Sequence, residues 1–294
     1  MTCDSILALA VGERQRIISF IRKYVNDNEP VCVFVSGGLD SDVVARLCAE
    51  AVGNERVRLV FVLQDDMEEQ YQQNAFQLAA DLNVPIDRID LRGMNVELIQ
   101  AAEQGNSSLF CTGSLLDPNR AKCSLRTALI SSYQDKGFLI AGASNRTETE
   151  LGFFMPFGDN LAHLKPIAHL YKTQVVQLAA DLRCRENVIS QPPSAAFWKG
   201  QEDLTDLAYW MINHGPIMGK ERKFTDEDDR NMKLIRDKLT QEAVDCALYA
   251  IRNEYAAKEA AELSGLPLEH IGAIRDIVAM AKKWKNRPLL TCLE

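Results

Sequence analysis

Apolar residues recur at two periods along this chain, and the two periods alternate. Residues 14–25 carry Ile17, Ile18, Phe20, Ile21 and Val25 near helical spacing, which predicts an amphipathic opening helix. The unbroken apolar run 31–35 predicts a buried strand, and residues 42 to about 52 return to a helical pattern. The alternation continues with strand 57–63, helix 74–82, strand 86–89 and helix 94–104. Residues 105–119 are rich in Gly, Ser and Pro and predict a loop or lid. Helix 121–133, a strongly buried strand over 137–141 and helix 172–182 follow. Strands alternating with helices predict an α/β fold: a doubly wound parallel sheet with helices on both faces and ligands at the carboxyl ends of its strands. Past Gln191 the pattern is helical only, with a polar loop, then 226–259 and 269–284, so a helical C-terminal part is expected. No internal repeat or low-complexity tract interrupts it.

At 294 residues, one large domain is expected over 1–294, with an α/β core at about 14–190 and a mobile loop plus helices from about 191. The net charge of −8 argues against general affinity for nucleic acid or anionic membrane. The N-terminus has no basic n-region and no apolar run approaches a membrane span, so a cytosolic protein is expected. The eight cysteines are scattered without a C-x-x-C pair, which speaks against zinc, an iron–sulfur cluster and a disulfide scaffold. Most read as small core residues. Cys111 and Cys123 fall in a polar stretch and are the two candidates for reactive thiols.

The chemistry concentrates after the first strand, in Ser36-Gly37-Gly38-Leu39-Asp40-Ser41. A strand feeding a glycine-rich turn at a helix N-terminus presents backbone N–H groups to a phosphate chain. The two serines add hydroxyls, and Asp40 suits the magnesium that travels with a nucleotide. The lysine of a GxxxxGK[ST] loop is missing, so this is a different phosphate-binding turn. Further on, Ile140-Ala-Gly-Ala-Ser-Asn-Arg-Thr-Glu148 leaves a buried strand and delivers carboxylates, Glu148 and then Asp159, to the sheet's carboxyl edge. Lys172 opens the helix after His163-Leu-Lys-Pro-Ile-Ala-His-Leu-Tyr, where a cation can hold the β- and γ-phosphates.

The SGGLDS turn resembles the SGGxDS pyrophosphate loop of the ATP pyrophosphatases, which split ATP between its α- and β-phosphates. The segments GASNRTE, LGFF, FGD and PI-x-x-LYKTQV resemble the GTxxxxE, GxF, YGD and P-x-x-x-LxKTQV motifs of the NAD synthetases. Gln191-Pro-Pro-Ser-Ala-Ala-Phe-Trp-Lys-Gly-Gln201-Glu-Asp-Leu resembles that family's second mobile loop, PSA-x-LW-x-GQTDE, and the 74–82 helix fits its DAxxLAxxLG helix. The resemblance runs from about residue 15 to 215, and more weakly to the end. It implies an adenine nucleotide α-hydrolase-like fold and ATP contacts from Ser36, Gly37, Gly38, Leu39, Asp40, Ser41, Ala143, Lys172 and Ser194. It implies magnesium on Asp40 and Glu148, with Asp40 and Lys172 carrying the catalysis. The implied reaction adenylates a carboxylate, deamido-NAD in the first instance, releases pyrophosphate, and lets ammonia displace AMP. A homodimer is implied too, and an apolar helix face with Leu207, Tyr209, Trp210 and Ile212 could serve it or the core. The nitrilase-like glutaminase domain of glutamine-using members is not matched, so ammonia would be free or come from a partner.

Departures from the family pattern gather on the side that reads the acceptor. Pro156 stands where the family has a lysine, His163 where it has an aspartate, and Ala143 where it has a threonine near the ATP. The family's NxxARxRM helix survives as Asn119-Arg-Ala-Lys122-Cys-Ser-Leu-Arg126, with Arg126 the candidate contact; its closing HKR-x-x-P becomes Lys283-Trp284-Lys285-Asn-Arg-Pro288. Arg126, Pro156, Asp159 and His163 therefore mark the acceptor side. The alternative to NAD synthesis is a paralogue amidating a different small carboxylic acid. An RNA-modifying thiolase and a non-catalytic nucleotide-binding subunit fit less well.

Overall fold

The computed structural model describes residues 2–158, 160–215 and 223–285. In chain order the first half holds α1 (Cys3–Leu7), α2 (Glu13–Tyr24), β1 (Val31–Phe34), α3 (Leu39–Val52), β2 (Val57–Leu63), α4 (Glu69–Leu82), β3 (Ile86–Asp90), α5 (Met94–Gly105), α6 (Leu116–Asp135) and β4 (Leu139–Ala141). Then come α7 (Arg146–Leu151), α8 (Lys172–Asp181), α9 (Glu186–Ile189), α10 (Asp203–Ile212), α11 (Asp226–Arg236), α12 (Gln241–Arg252), α13 (Ala257–Ser264) and α14 (Leu268–Met280). The strands pair in parallel in the order β3-β2-β1-β4. That order reverses beside β1, so the mouth between β1 and β4 is the crevice where such sheets place ligands.

Side chains of a strand alternate between faces, and the sequence uses both. Val31, Val33, Val57, Leu59 and Phe61 enter the larger core with α2, α3, α4 and α8. Cys32, Val60, Val62 and Ile140 face the other way and pack with Leu129, Ile130 and Tyr133 of α6. Helices on both faces are the doubly wound arrangement the pattern predicts. A separate core joins α1 and α10 to α14. Leu207 is fully buried there, with Tyr209, Trp210 and Ile212 packed against it, so that helix face is spent within the chain rather than left for a partner.

Several boundaries differ from expectation for local reasons. α3 begins at Leu39, not 42, which places Asp40 and Ser41 in its first turn. The expected loop 105–119 gives its last residues to α6, and 226–259 divides into α11, α12 and the start of α13. Cys123 lies inside α6 and is 2% exposed, which removes it as a reactive thiol, while Cys111 is exposed. The cysteine spacing also hid a long-range partnership: Cys3 of α1 and Cys246 of α12 form a disulfide across a sequence separation of 243. Among the described residues no helix is long and apolar enough to cross a membrane.

Candidate active site

Between β1 and α3 the chain makes a turn that only glycine fits at Gly37. Its φ is +80°, and a Cβ there would stand 2.0 Å from the carbonyl oxygen of Tyr71. The turn is tied from within. Ser36 N–H donates to Ser41 Oγ (3.1 Å), the Ser41 hydroxyl donates to the Gly38 carbonyl (3.0 Å), and Gly38 N–H donates to Ser36 Oγ (3.2 Å). Ser41 thus shapes the turn before it can serve any ligand. Asn74 of α4, 2% exposed, donates from Nδ2 to the Gly37 carbonyl (3.0 Å) and to Gln191 Oε1 (2.9 Å), joining the first loop to the root of the second. Gly38 caps α3 without a side chain, so the first-turn amides, which have no intrahelical partner, stay available to an anion.

Asp40 sits in that first turn. One of its oxygens takes the Lys172 ammonium in an ion pair, and the other accepts from Asn145 Nδ2 at 3.1 Å. Lys172 is the first residue of α8 and only 7% exposed. Asn145 and Glu148 form the capping box of α7: Glu148 N–H donates to Asn145 Oδ1 (2.9 Å), and Asn145 N–H donates to Glu148 Oε2 (3.3 Å). Burial first, and the charge of Asp40 second, hold the Glu148 carboxyl well above its usual range, with Lys172 pulling the other way. For Lys172, burial alone would lower the pKa, but the charges of Asp40 and Glu148 outweigh it and hold the ammonium above its ordinary value. Asp203, at the start of α10, is pushed up to about 6 by burial, against the pull of Lys172 and with the push of Asp40.

Asp40, Glu148, Lys172 and Asp203 therefore meet at one end of a cavity of about 600 Å³, open at the carboxyl edge of the sheet. Ser36, Gly38, Leu39, Ser41, Ala143 and Ser194 line the same cavity, while Gly37 lies beneath the turn. Asp40 and Glu148 are hard oxygen donors whose charges repel each other, and a dication between them would relieve that repulsion. Among the described residues no group of three or more His, Cys, Asp and Glu forms a closed metal cage.

The family model for NAD synthase matches residues 13–259. The chain belongs to the NAD synthase family. An NH(3)-dependent NAD(+) synthetase of Campylobacter jejuni is 31% identical over 206 residues, covering 68% of this chain and 80% of that protein. A solved structure of the NH3-dependent NAD synthetase from Campylobacter jejuni in complex with a nitrate ion matches with a TM-score of 0.67 at 22% identity, over 98% of this chain and 100% of that one. The NMN synthetase from Francisella tularensis shares the fold, with a TM-score of 0.60 at 22% identity over 78% of this chain and 94% of that one.

The NAD synthase loop after α9 closes the cavity from above, and a buried lysine holds it there. Lys122, 1% exposed, donates from Nζ to the carbonyls of Asp65 (2.9 Å) and Phe197 (2.6 Å), linking the end of β2, α6 and the loop. Gln201 supports the same loop, accepting from Phe197 N–H (2.8 Å) and donating to Asp206 (2.7 Å). Arg126, the expected acceptor contact, lines the cavity, and its guanidinium donates twice to Gln64 Oε1, at 2.6 and 3.1 Å. Of the substituted family positions, Ala143 lines the cavity, while Pro156 and His163 do not. His163 instead closes the outer edge of β4: its Nδ1 accepts from Ile140 N–H and its own N–H donates to the Ile140 carbonyl, each at 2.9 Å. Asp159 lies outside the described residues.

Four site residues escaped the sequence reading. Asn145 carried a local signal, the N-x-x-E of a capping box. Lys122, Asn74 and Asp203 were given no role there, because the site partners of Lys122 lie 57 and 75 positions away, those of Asn74 37 and 117, and Asp203 meets the charges of Lys172 and Asp40 only once α10 is placed.

Proposed function

We propose that this protein is an ammonia-dependent NAD synthetase, a carbon–nitrogen ligase that adenylates the carboxylate of deamido-NAD with ATP and amidates it with ammonia, releasing AMP and pyrophosphate. The observation that carries this reading is the Lys172–Asp40 pair, with Asn145 on the second Asp40 oxygen, set at the mouth of the SGGLDS turn in a chain of the NAD synthase family. The first-turn amides of α3 and the Ser36 hydroxyl hold the phosphates of ATP. Asp40 and Glu148 hold Mg2+, which when bound neutralises charge on the triphosphate. Lys172, at the first turn of α8 beside the SGGLDS turn, would hold the phosphates, and Asp40 would share its charge between that ammonium and the dication. The acceptor carboxylate then attacks the α-phosphorus in line, and pyrophosphate leaves. Two anions are joined in this step, so fixed cations and oriented N–H groups supply most of its acceleration. Ammonia next attacks the acyl carbon, and AMP departs. The loop held by Lys122 keeps water from the adenylate. Support for a homodimer is the exposure of Leu98, Leu109 and Phe110 on α5 and the segment before α6, beside Leu115 at the cavity mouth. A cytoplasmic location fits this reaction.

Purified protein supplied with ATP, Mg2+, ammonium and deamido-NAD should form NAD, AMP and pyrophosphate in equal amounts, at on the order of 1 per second. Release of ADP and phosphate, or pyrophosphate exchange only with a different carboxylic acid, would refute the assignment. Light scattering should give twice the chain mass of 32.9 kDa at micromolar concentration; the single mass would remove the dimer.

A further inference from the structure

Behind the active site lies a fully buried carboxylate with no cationic partner among the described residues. Asp245 of α12 is 0% exposed, and its oxygens accept from the Thr147 hydroxyl (2.6 Å), Thr173 N–H (2.9 Å) and Gln241 Nε2 (3.0 Å). Thr147 Oγ1 in turn accepts from the backbone N–H of Lys172 at 3.0 Å. A buried carboxylate costs stability unless its lone pairs are filled, so the three donors fix its position closely. What they belong to is informative. Thr147 precedes Glu148 in the first turn of α7, and Thr173 follows Lys172 in the first turn of α8. The helix N-terminus at Lys172 also favours a negative charge in that place. One carboxylate from the helical C-terminal part thus clamps the two turns that deliver Glu148 and Lys172 to Asp40.

We propose that Asp245 is a positioning residue for ATP·Mg binding, acting through the Thr147 hydroxyl and the first turn of α8 to set Lys172 against the phosphates. The inference rests on the nucleotide half of the proposed function and not on the identity of the acceptor acid. A side chain that served only to stabilise the helical core would affect melting without regard to Lys172.

The test uses the full chain and reads the Kd of ATP·Mg by calorimetry, with melting temperature and circular dichroism as controls. Thr147→Val removes the hydroxyl bridge while keeping the shape, and should weaken ATP·Mg about tenfold; Thr147→Ser keeps the hydroxyl and should stay within about twofold of wild type. Asp245→Asn should weaken binding about as much as Thr147→Val. In a Lys172→Ala background either change should cost less than about twofold more, because the group being positioned is gone. Losses that multiply in the double variants, or wild-type affinity in a folded Thr147→Val protein, would overturn the proposal. If Asp245→Asn does not fold, the Thr147 pair decides. Wild-type protein that binds ATP·Mg through Lys172 yet makes no NAD would refute the acceptor assignment and leave the clamp standing. Failure to bind ATP·Mg at all would overturn both.

Discussion

The two ends of the cavity are built differently. At the nucleotide end, charged groups hold one another: Asp40 takes Lys172 and Asn145, and Asn145 and Glu148 cap α7 reciprocally. At the acceptor end, Arg126 rests on a neutral amide, Gln64, which is itself tied to the Lys122 carbonyl. The first arrangement leaves little freedom to drift, since changing one member strands a buried charge. The second can lose or gain a contact at small cost. The family substitutions at Pro156 and His163 lie further out still, away from the cavity lining.

The comparison is broken most severely at the nucleotide end. Asp40→Asn and Glu148→Gln should each lower pyrophosphate exchange by about 100-fold or more, but move stability in opposite directions. Losing the Asp40 charge takes from the buried Lys172 its hydrogen-bonded ion-pair partner, so the melting temperature should fall. Losing the Glu148 charge relieves burial and repulsion from Asp40, so the melting temperature should rise. Exchange near the wild-type rate in either variant would show that the metal is held elsewhere.

A smaller effect is expected at the acceptor end. Arg126→Ala should raise KM for the acceptor acid about tenfold and leave KM for ATP within about threefold, the signature of one lost charge-assisted contact. Pro156→Lys and His163→Asp should each change both constants by less than about threefold. A marked gain on deamido-NAD from the latter two would mean that the acceptor extends beyond the cavity toward β4, and the contrast between the ends would fail.

Much of this contrast could be read from the chain itself. The parallel sheet was legible because its strands are short apolar runs between amphipathic helices, and β2 falls where the pattern puts it, at Val57–Leu63. Asp40, Glu148 and Lys172 were legible as motif members, and the fold brings them together. What stayed hidden was set by distance. Lys122 finds Phe197, and Asn74 finds Gln191, only after the chain folds. His163, expected at the acceptor side, gives its Nδ1 to the backbone of β4, a pairing 23 positions apart that periodicity does not show. Likewise, the apolar face of α10 has the composition of an interface, and its burial in the helical core is a tertiary outcome that periodicity does not fix.

The smallest effect concerns the closing loop. Burial pushes the Asp206 carboxyl up to about 7, against its bond from Gln201, so the protonated form is favoured in the fold. A raised carboxyl pKa contributes stability that is full below about pH 4 and is lost as pH rises through 7. The melting temperature should therefore carry a component that declines between about pH 4 and pH 7, and Asp206→Asn should flatten it. An unchanged slope would mean that Asp206 does not govern the loop's support.

The bond between Cys3 and Cys246 gives the chain the topology of a ring with a tail. Every strand and the helices from α1 into α12 lie on the ring, while α13 and α14 hang from it. Two consequences follow. A single peptide cut anywhere on the ring opens a circle and does not separate the protein into pieces, so nucleotide loop and helical core stay covalently one body. The denatured chain also keeps its circular connection, and with it fewer ways to be unfolded, which favours the native state without adding any contact within it.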